Sequence, residues 1–310
     1  LWLIGARGVK RMTFHPKTYN LRQLDDEGIE VRAIFRDQSG QLWIASKSGF
    51  IRIYNPNGSL KGYLNPQGEI SKREVSFDAK GYCFHQDSEG TIWMGAKTKG
   101  LYQLKKKNEN SYSIDVFTHN EADEYSLSSN DIYTIFEDSN QNVWLGCYGG
   151  GINLMQKEEN GKVKFYHFHN DLSNYPAVGF QNVRIITEVD NGILLIGTTN
   201  GIISFSNTFK QPGEIVFYQN RHCAEDGMNL VGKDVMDIFT DSKGNTYVLT
   251  FTGGINKIKS TDLLTHCISY QSYTTRNILV SDLVLSMIED ETEQLWVIYE
   301  NGLSKFDAQN

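Results

Sequence analysis

Two arginines and two tyrosines, Arg32, Tyr82, Tyr133 and Arg184, stand five residues ahead of a recurring turn position, with Met236 and Leu285 as the matching residues elsewhere. An arginine guanidinium grips carboxylate or sulfate through paired hydrogen bonds, and a tyrosine ring offers a stacking face with a polar tip. Tyr148 and Tyr299 follow a second recurring position, together with Arg7, Lys47, Lys97, Lys99, Asn200, Thr252 and Asn301. If the fold gathers the two sets on one face, Arg32, Tyr82, Tyr133, Arg184, Tyr148 and Tyr299 are expected to bind a small polar, anionic ligand.

Other chemistry is thinly provided. Gly149-Gly150-Gly151 resembles a phosphate loop only in composition, because such loops need a following helix whose N-terminus faces the anion. A second Gly pair, Gly253-Gly254, sits at the matching place, so a hairpin is expected. His167 and His169 alternate on a predicted outer strand, but no third ligand has matching spacing, and no metal site is expected. A repeated turn aspartate supplies one carboxylate per copy where calcium wants six to eight oxygens. Asp237 is the lone acid on the inner-strand positions, too little for a two-carboxylate glycosidase mechanism. No catalytic residue and no cofactor are therefore assigned. The net charge of −7 disfavours nucleic acid as a partner, and Lys105-Lys106-Lys107 reads as a solvated loop. Cys83, Cys147, Cys223 and Cys267 fall in four different repeats with no close pair, and Cys83 and Cys147, within predicted strands, are expected to be buried thiols.

The elements that must position these residues come from a repeat. Trp2, Trp43, Trp93, Trp144, Leu195, Tyr247 and Trp296 align at spacings of 41, 50, 51, 51, 52 and 49 residues, each followed by a glycine. An apolar inner strand, an aspartate turn, the aromatic strand, a glycine, an alternating strand and an aromatic-rich outer strand make up each copy. The turn aspartates Asp37, Asp87, Asp138, Asp241 and Asp290 all precede the aromatic by six residues. Such a period is the mark of radial β repetition. The fold is expected to be all-β, a β-propeller of about seven four-stranded blades occupying residues 1–310, with incomplete terminal blades and further sequence in a longer protein. No apolar run is long enough to span a bilayer, and no signal peptide is legible.

One copy is specific enough to compare: Ser126-Leu127-Ser128-Ser129-Asn130-Asp131-Ile132, then Ile135-Phe136-Glu137-Asp138, Val143-Trp144-Leu145-Gly146 and Gly150-Gly151-Ile152-Asn153. It resembles the two-component regulator propeller repeat, which builds the periplasmic sensor region of hybrid two-component systems. The resemblance extends over all seven copies, with Leu195 and Tyr247 departing from Trp. It implies an inner-membrane-anchored receptor with a further propeller, an immunoglobulin-like domain and a histidine kinase outside this sequence. It also implies a homodimer in the intact protein and a small oligosaccharide breakdown product as signal. A propeller lyase or glycosidase, or a scaffold that only dimerises, are the alternatives.

Overall fold

The computed structural model describes the strand course of residues 2–5, 8–15 and 18–23, without their side chains, and residues 30–159, 161–189, 192–220, 228–300 and 302–307 in full. Two compact units emerge: residues 1–119 with 129–135, and residues 120–128 with 136–310. The architecture is an all-β β-propeller whose blades are antiparallel sheets.

In the first unit, Trp2–Gly5 (β1), Gly8–His15 (β2) and Thr18–Gln23 (β3) form a three-stranded sheet. Val31–Arg36 (β4), Leu42–Ser46 (β5), Ile51–Tyr54 (β6), Leu60–Leu64 (β7) and Ile70–Ser71 (β8) form a blade with an added fifth strand. Lys80–Gln86 (β9), Ile92–Lys97 (β10), Gly100–Asn108 (β11) and Ser111–Phe117 (β12) make the next. The unit boundary falls within Ile132–Glu137 (β13), the first strand of a blade completed by Val143–Cys147 (β14), Gly151–Lys157 (β15) and Val163–Tyr166 (β16). Val183–Val189 (β17), Ile193–Thr198 (β18), Gly201–Ser206 (β19) and Tyr218–Gln219 (β20) follow. Val235–Thr240 (β21), Thr246–Thr250 (β22), Gly254–Ile258 (β23) and Tyr270–Tyr273 (β24) build another four-stranded blade. Val284–Glu289 (β25), Leu295–Tyr299 (β26) and Gly302–Phe306 (β27) close the described chain with three strands.

Six blades, mostly four-stranded, thus run from Val31 to Phe306, against an expectation of about seven. The copy centred on Trp2 pairs as the separate sheet β1–β3, and its side chains, Trp2 included, lie outside the described residues.

The repeated aspartate and the repeated aromatic turn out to be one device. Trp43 Nε1 donates to Asp37 Oδ2 at 3.0 Å, Trp93 to Asp87 and Trp144 to Asp138 at 2.9 Å each, and Trp296 to Asp290 at 2.7 Å. Each carboxylate spends its other oxygen on the backbone N–H four residues on, as Asp138 Oδ1 does with Asn142 at 2.9 Å. One side chain therefore closes the turn and satisfies the single polar atom of a ring that is otherwise core, so the indole can be buried without an orphaned donor. Trp43, Trp93 and Trp144 are fully buried. The two departures from Trp follow the same logic. Tyr247 reaches the equivalent carboxylate, Asp241 Oδ2, through its hydroxyl at 3.2 Å, whereas Leu195 has nothing to donate, and its copy has lost the turn aspartate six residues ahead.

Each unit has its own apolar core. Trp43, Ile53, Leu64, Met94 and Tyr112 pack together in the first. In the second, Trp144, Leu154, Ile196 and Phe205 form one cluster, and Tyr247, Leu249, Val297 and Phe306 another.

Candidate functional site

The inner strands share an irregularity that explains why one register position is special. In β4 the pairing jumps from Val31 opposite Ser46 to Ala33 opposite Ala45, leaving Arg32 out of the ladder. Tyr82 is skipped in β9, Arg184 in β17, Met236 in β21 and Leu285 in β25 in the same way. A β-bulge re-aims the side chain it carries and frees it from a cross-strand partner. The positions five residues ahead of the recurring turn position are, in these five strands, the bulged residues.

Within the first unit the structure brings three of the expected residues together. Arg32 lies with its guanidinium 5.5 Å from the centre of the Tyr82 ring, and the Tyr82 and Tyr133 rings are 4.9 Å apart at 47°. This is a cation–ring–ring stack. Arg32 Nη2 is also held by Glu30 Oε1 at 2.6 Å, and Glu30 Oε2 takes Lys47 Nζ at 2.9 Å. The hydrogen bond from Lys47 holds the Glu30 carboxyl below its ordinary pKa, with the Arg32 charge adding to the effect and burial opposing it. The Nε of Arg32 is buried with no hydrogen-bond acceptor, so the guanidinium retains an unsatisfied donor inside the stack.

The other three residues are placed differently in the second unit. Arg184 is engaged by Asp234, with Nη2 donating to Oδ2 at 3.0 Å and Nε in ionic contact with Oδ1 at 2.9 Å, without hydrogen-bond alignment. Tyr148 is exposed, on the turn between β14 and β15, where the adjacent Gly149 N–H donates to Asn182 Oδ1 at 3.0 Å. Tyr299 is buried among Tyr247, Leu249 and Phe306, and its hydroxyl accepts from Ser304 Oγ at 3.2 Å. It closes β26 as a core residue rather than standing on an open face.

A cleft of about 350 Å³ in the second unit is lined by Asn200, Gln219, Asn220, Asn229 and Lys233, with Phe180 at its apolar wall. Asn220 Oδ1 accepts from the Tyr270 hydroxyl at 2.9 Å, while its Nδ2 is enclosed without an acceptor. Four primary amides around one cleft suit a ligand rich in hydroxyl or carbonyl oxygens, because each amide both donates and accepts.

Asp237 on β21 is held by Ser286 Oγ at 2.6 Å and by the Ile238 N–H at 2.9 Å. Burial nevertheless pushes its pKa up to about 6, the hydrogen bonds restraining the rise. The histidine pair is not on a strand face. β16 ends at Tyr166, and His167, which is buried, sets its Nε2 3.1 Å from Ser126 O while its Nδ1 accepts the His169 N–H at 3.3 Å. Gly149–Gly151 forms the expected hairpin, with Gly149 and Gly151 both at positive φ. Of the cysteines, Cys147 is a buried thiol, as expected, and Cys83 a half-buried one, whereas Cys267 is disulfide-bonded. Cys223 lies outside the described residues, as do the side chain of Arg7 and residue Asn301.

Sequence reasoning missed Glu30, Asp234 and Asn220. Asp234 lies fifty residues beyond the arginine it holds, a separation equal to one repeat, and that period is the one signal that could have linked them.

Residues 126–149 match the family model described as the two-component regulator propeller. Histidine kinase P4 of Formosa agariphila is 28% identical over 135 residues, covering 42% of this chain and 9% of the kinase. Among solved structures, PorZ, a surface component of the type-IX secretion system of Porphyromonas gingivalis, superposes with a TM-score of 0.66 at 14% identity, over 97% of this chain and 43% of PorZ. The extracellular domain assigned to a hybrid two-component system of B. thetaiotaomicron aligns over all of this chain and 43% of its own length, at 17% identity and a TM-score of 0.46. The chain therefore spans less than a tenth of its curated relative and under half of these two structures.

Proposed function

We propose that this chain, which carries a two-component regulator propeller repeat, is the extracytoplasmic ligand-sensing domain of a hybrid two-component receptor that detects an oligosaccharide breakdown product. The observation that carries the reading is the Arg32–Tyr82–Tyr133 group, in which Arg32 and Tyr82 stand on strand positions that leave the hydrogen-bond ladder. A ring pair capped by a guanidinium suits a sugar ring bearing a carboxylate or sulfate. In the second unit, Arg184, Tyr148 and Tyr299 are ligand contacts proposed on their own, with different weight: Arg184 would have to exchange Asp234 for the ligand, and Tyr299 would have to leave its core packing. The amide-lined cleft of the second unit offers a neutral saccharide a second set of contacts.

The disulfide at Cys267 supports a periplasmic location, since such bonds persist in oxidising compartments and are rare in the cytosol. The kinase that would answer the signal belongs to sequence outside this chain, as do the additional propeller, the immunoglobulin-like domain and the dimer contacts of the intact receptor. In this reading the chain binds glycans and leaves them chemically unchanged.

Titration calorimetry of the purified chain against acidic and neutral oligosaccharides tests the proposal. Replacing Arg32 by Ala should weaken an acidic ligand by roughly 1.5–3 kcal/mol, the value of a hydrogen bond to a charged group. Undiminished binding after both Arg32 and Arg184 are replaced would remove the site, and turnover of any glycan would remove the receptor reading.

A further inference from the structure

A second cleft, of about 320 Å³ and wholly within the first unit, opens between the β5–β6 turn, residues 76–80 and the β10–β11 turn. Lys80, Lys97 and Lys99 line it with Ser48, Ser76 and a single acid, Asp78. Lys80 and Lys97 are direct cross-strand partners in the β9–β10 ladder. Like charges placed opposite each other in a sheet repel, and a chain of net charge −7 has acids to spare for separating them. Yet among the described residues none of these three lysines forms an ion pair. Asp131 accepts the Thr98 N–H at 2.6 Å and forms no ion pair with these lysines. The turn that presents Lys97 and Lys99 is itself tense, because Thr98 between them holds φ at 63°, a left-handed conformation that side-chain-bearing residues rarely adopt. Three ammonium groups, two hydroxyls and a strained turn thus share the cleft with one carboxylate, Asp78, that forms an ion pair with none of them, so an excess of positive charge is left for an anionic ligand.

We infer that this cleft is an anion-binding site that takes a carboxylate- or sulfate-bearing group. The sensing reading supplies only the biological role of that ligand; anion binding by the cleft stands without it. Its test is to titrate the purified chain with sodium sulfate, digalacturonate and cellotriose at constant ionic strength, reading melting temperature and heats of binding. Sulfate or digalacturonate should bind one to one and raise Tm above the value in chloride. The double variant Lys97→Met/Lys99→Met should lose at least about tenfold in affinity, the scale of one charge-assisted hydrogen bond. In chloride alone it should melt no lower than the parent, because removing a ligand-free repulsion does not destabilise. Lys105→Met, which deletes a charge on β11 away from the cleft, is the control and should bind as the parent does. Equal weakening in the control would assign the effect to overall charge and overturn the site, as would unaltered binding in the double variant or cellotriose binding as tightly as digalacturonate. Preference between sulfate and digalacturonate decides which anion the cleft is built for. Anion binding here, with no oligosaccharide able to signal through the intact receptor, would sink the sensing reading and leave this site intact; the opposite pattern would do the reverse.

Discussion

Asp138 illustrates how much one side chain does in this fold, since its carboxylate closes a turn through the Asn142 N–H and accepts a hydrogen bond from the Trp144 indole N–H. Asp138→Ala removes the acceptor of the Asn140 and Asn142 N–H groups, the Asn142 side-chain amide and the buried Trp144 indole, and is expected to cost about 3 kcal/mol, as buried donors left unsatisfied cost about 1–3 each. Trp144→Ala should cost roughly 3–5 kcal/mol, the range for removing a large aromatic from a core. Urea unfolding of both variants checks the pairing: additive losses in the double variant would mean that the two residues do not act together. Asp237 gives a pH signature of a different kind. Its pKa in the fold, about 6, lies above the ordinary 3.8, so the folded state binds the proton more tightly than the unfolded chain does. The resulting stability is fully present below about pH 4 and declines as pH rises to about 6, by on the order of 2 kcal/mol. Asp237→Asn should flatten that part of the Tm–pH curve and raise Tm at pH 7; an unchanged curve would mean that another group is responsible.

Blades meet through contacts that recur one repeat apart. Ser139 gives its N–H and hydroxyl to Glu188 at 2.6 and 2.5 Å, and Ser242 does the same with Glu289 at 2.7 Å. The turn of one blade is thereby clamped to the inner strand of the next. Gly197 shows the steric side of that spacing: a Cβ there would sit 2.6 Å from both Ile185 and Val235, the latter on the following blade's inner strand. Gly197→Ala should therefore destabilise by about 1–3 kcal/mol through overpacking, measured by urea midpoint at unchanged m-value. A loss below that range would show that the strands can part at little cost. These elements were largely legible beforehand, because a period of about fifty residues, an aspartate and an aromatic recur too regularly to be accidental. The bulges were not, since the skipped residue in β4 or β17 carries no composition signal and appears only when two strands are paired. The outer strands were legible only in part: the aromatic-rich segment Val216-Phe217-Tyr218 fits the outer strand expected of each copy, yet β20 is just Tyr218–Gln219, a segment too short for its pattern to declare itself.

For the molecule as a whole, the sequence made the fold class plain and the ligand site only as a set of positions. Which of those positions are open was hidden, because Arg184 and Tyr299 take partners fixed by tertiary packing rather than by local pattern. Cysteine pairing was equally hidden, since four cysteines in separate repeats look like independent thiols until the chain is folded. Reduction of the Cys267 disulfide should lower stability by about 2–4 kcal/mol, and dithiothreitol should have no further effect on a Cys267→Ser variant. Equal melting with and without reductant in the parent chain would show that the bond contributes nothing to the folded state.

The bulge shared by five inner strands has a bearing on how such a protein can change. A residue that belongs to no ladder can be exchanged without shifting register, as Arg32, Tyr82, Arg184, Met236 and Leu285 already illustrate by their unlike chemistries at one structural place. The scaffold is in effect a fixed frame with a small set of interchangeable letters. A combinatorial library confined to those five positions should retain folding in most members while scattering ligand preference widely, which makes this chain a natural starting point for selecting new small-molecule binders.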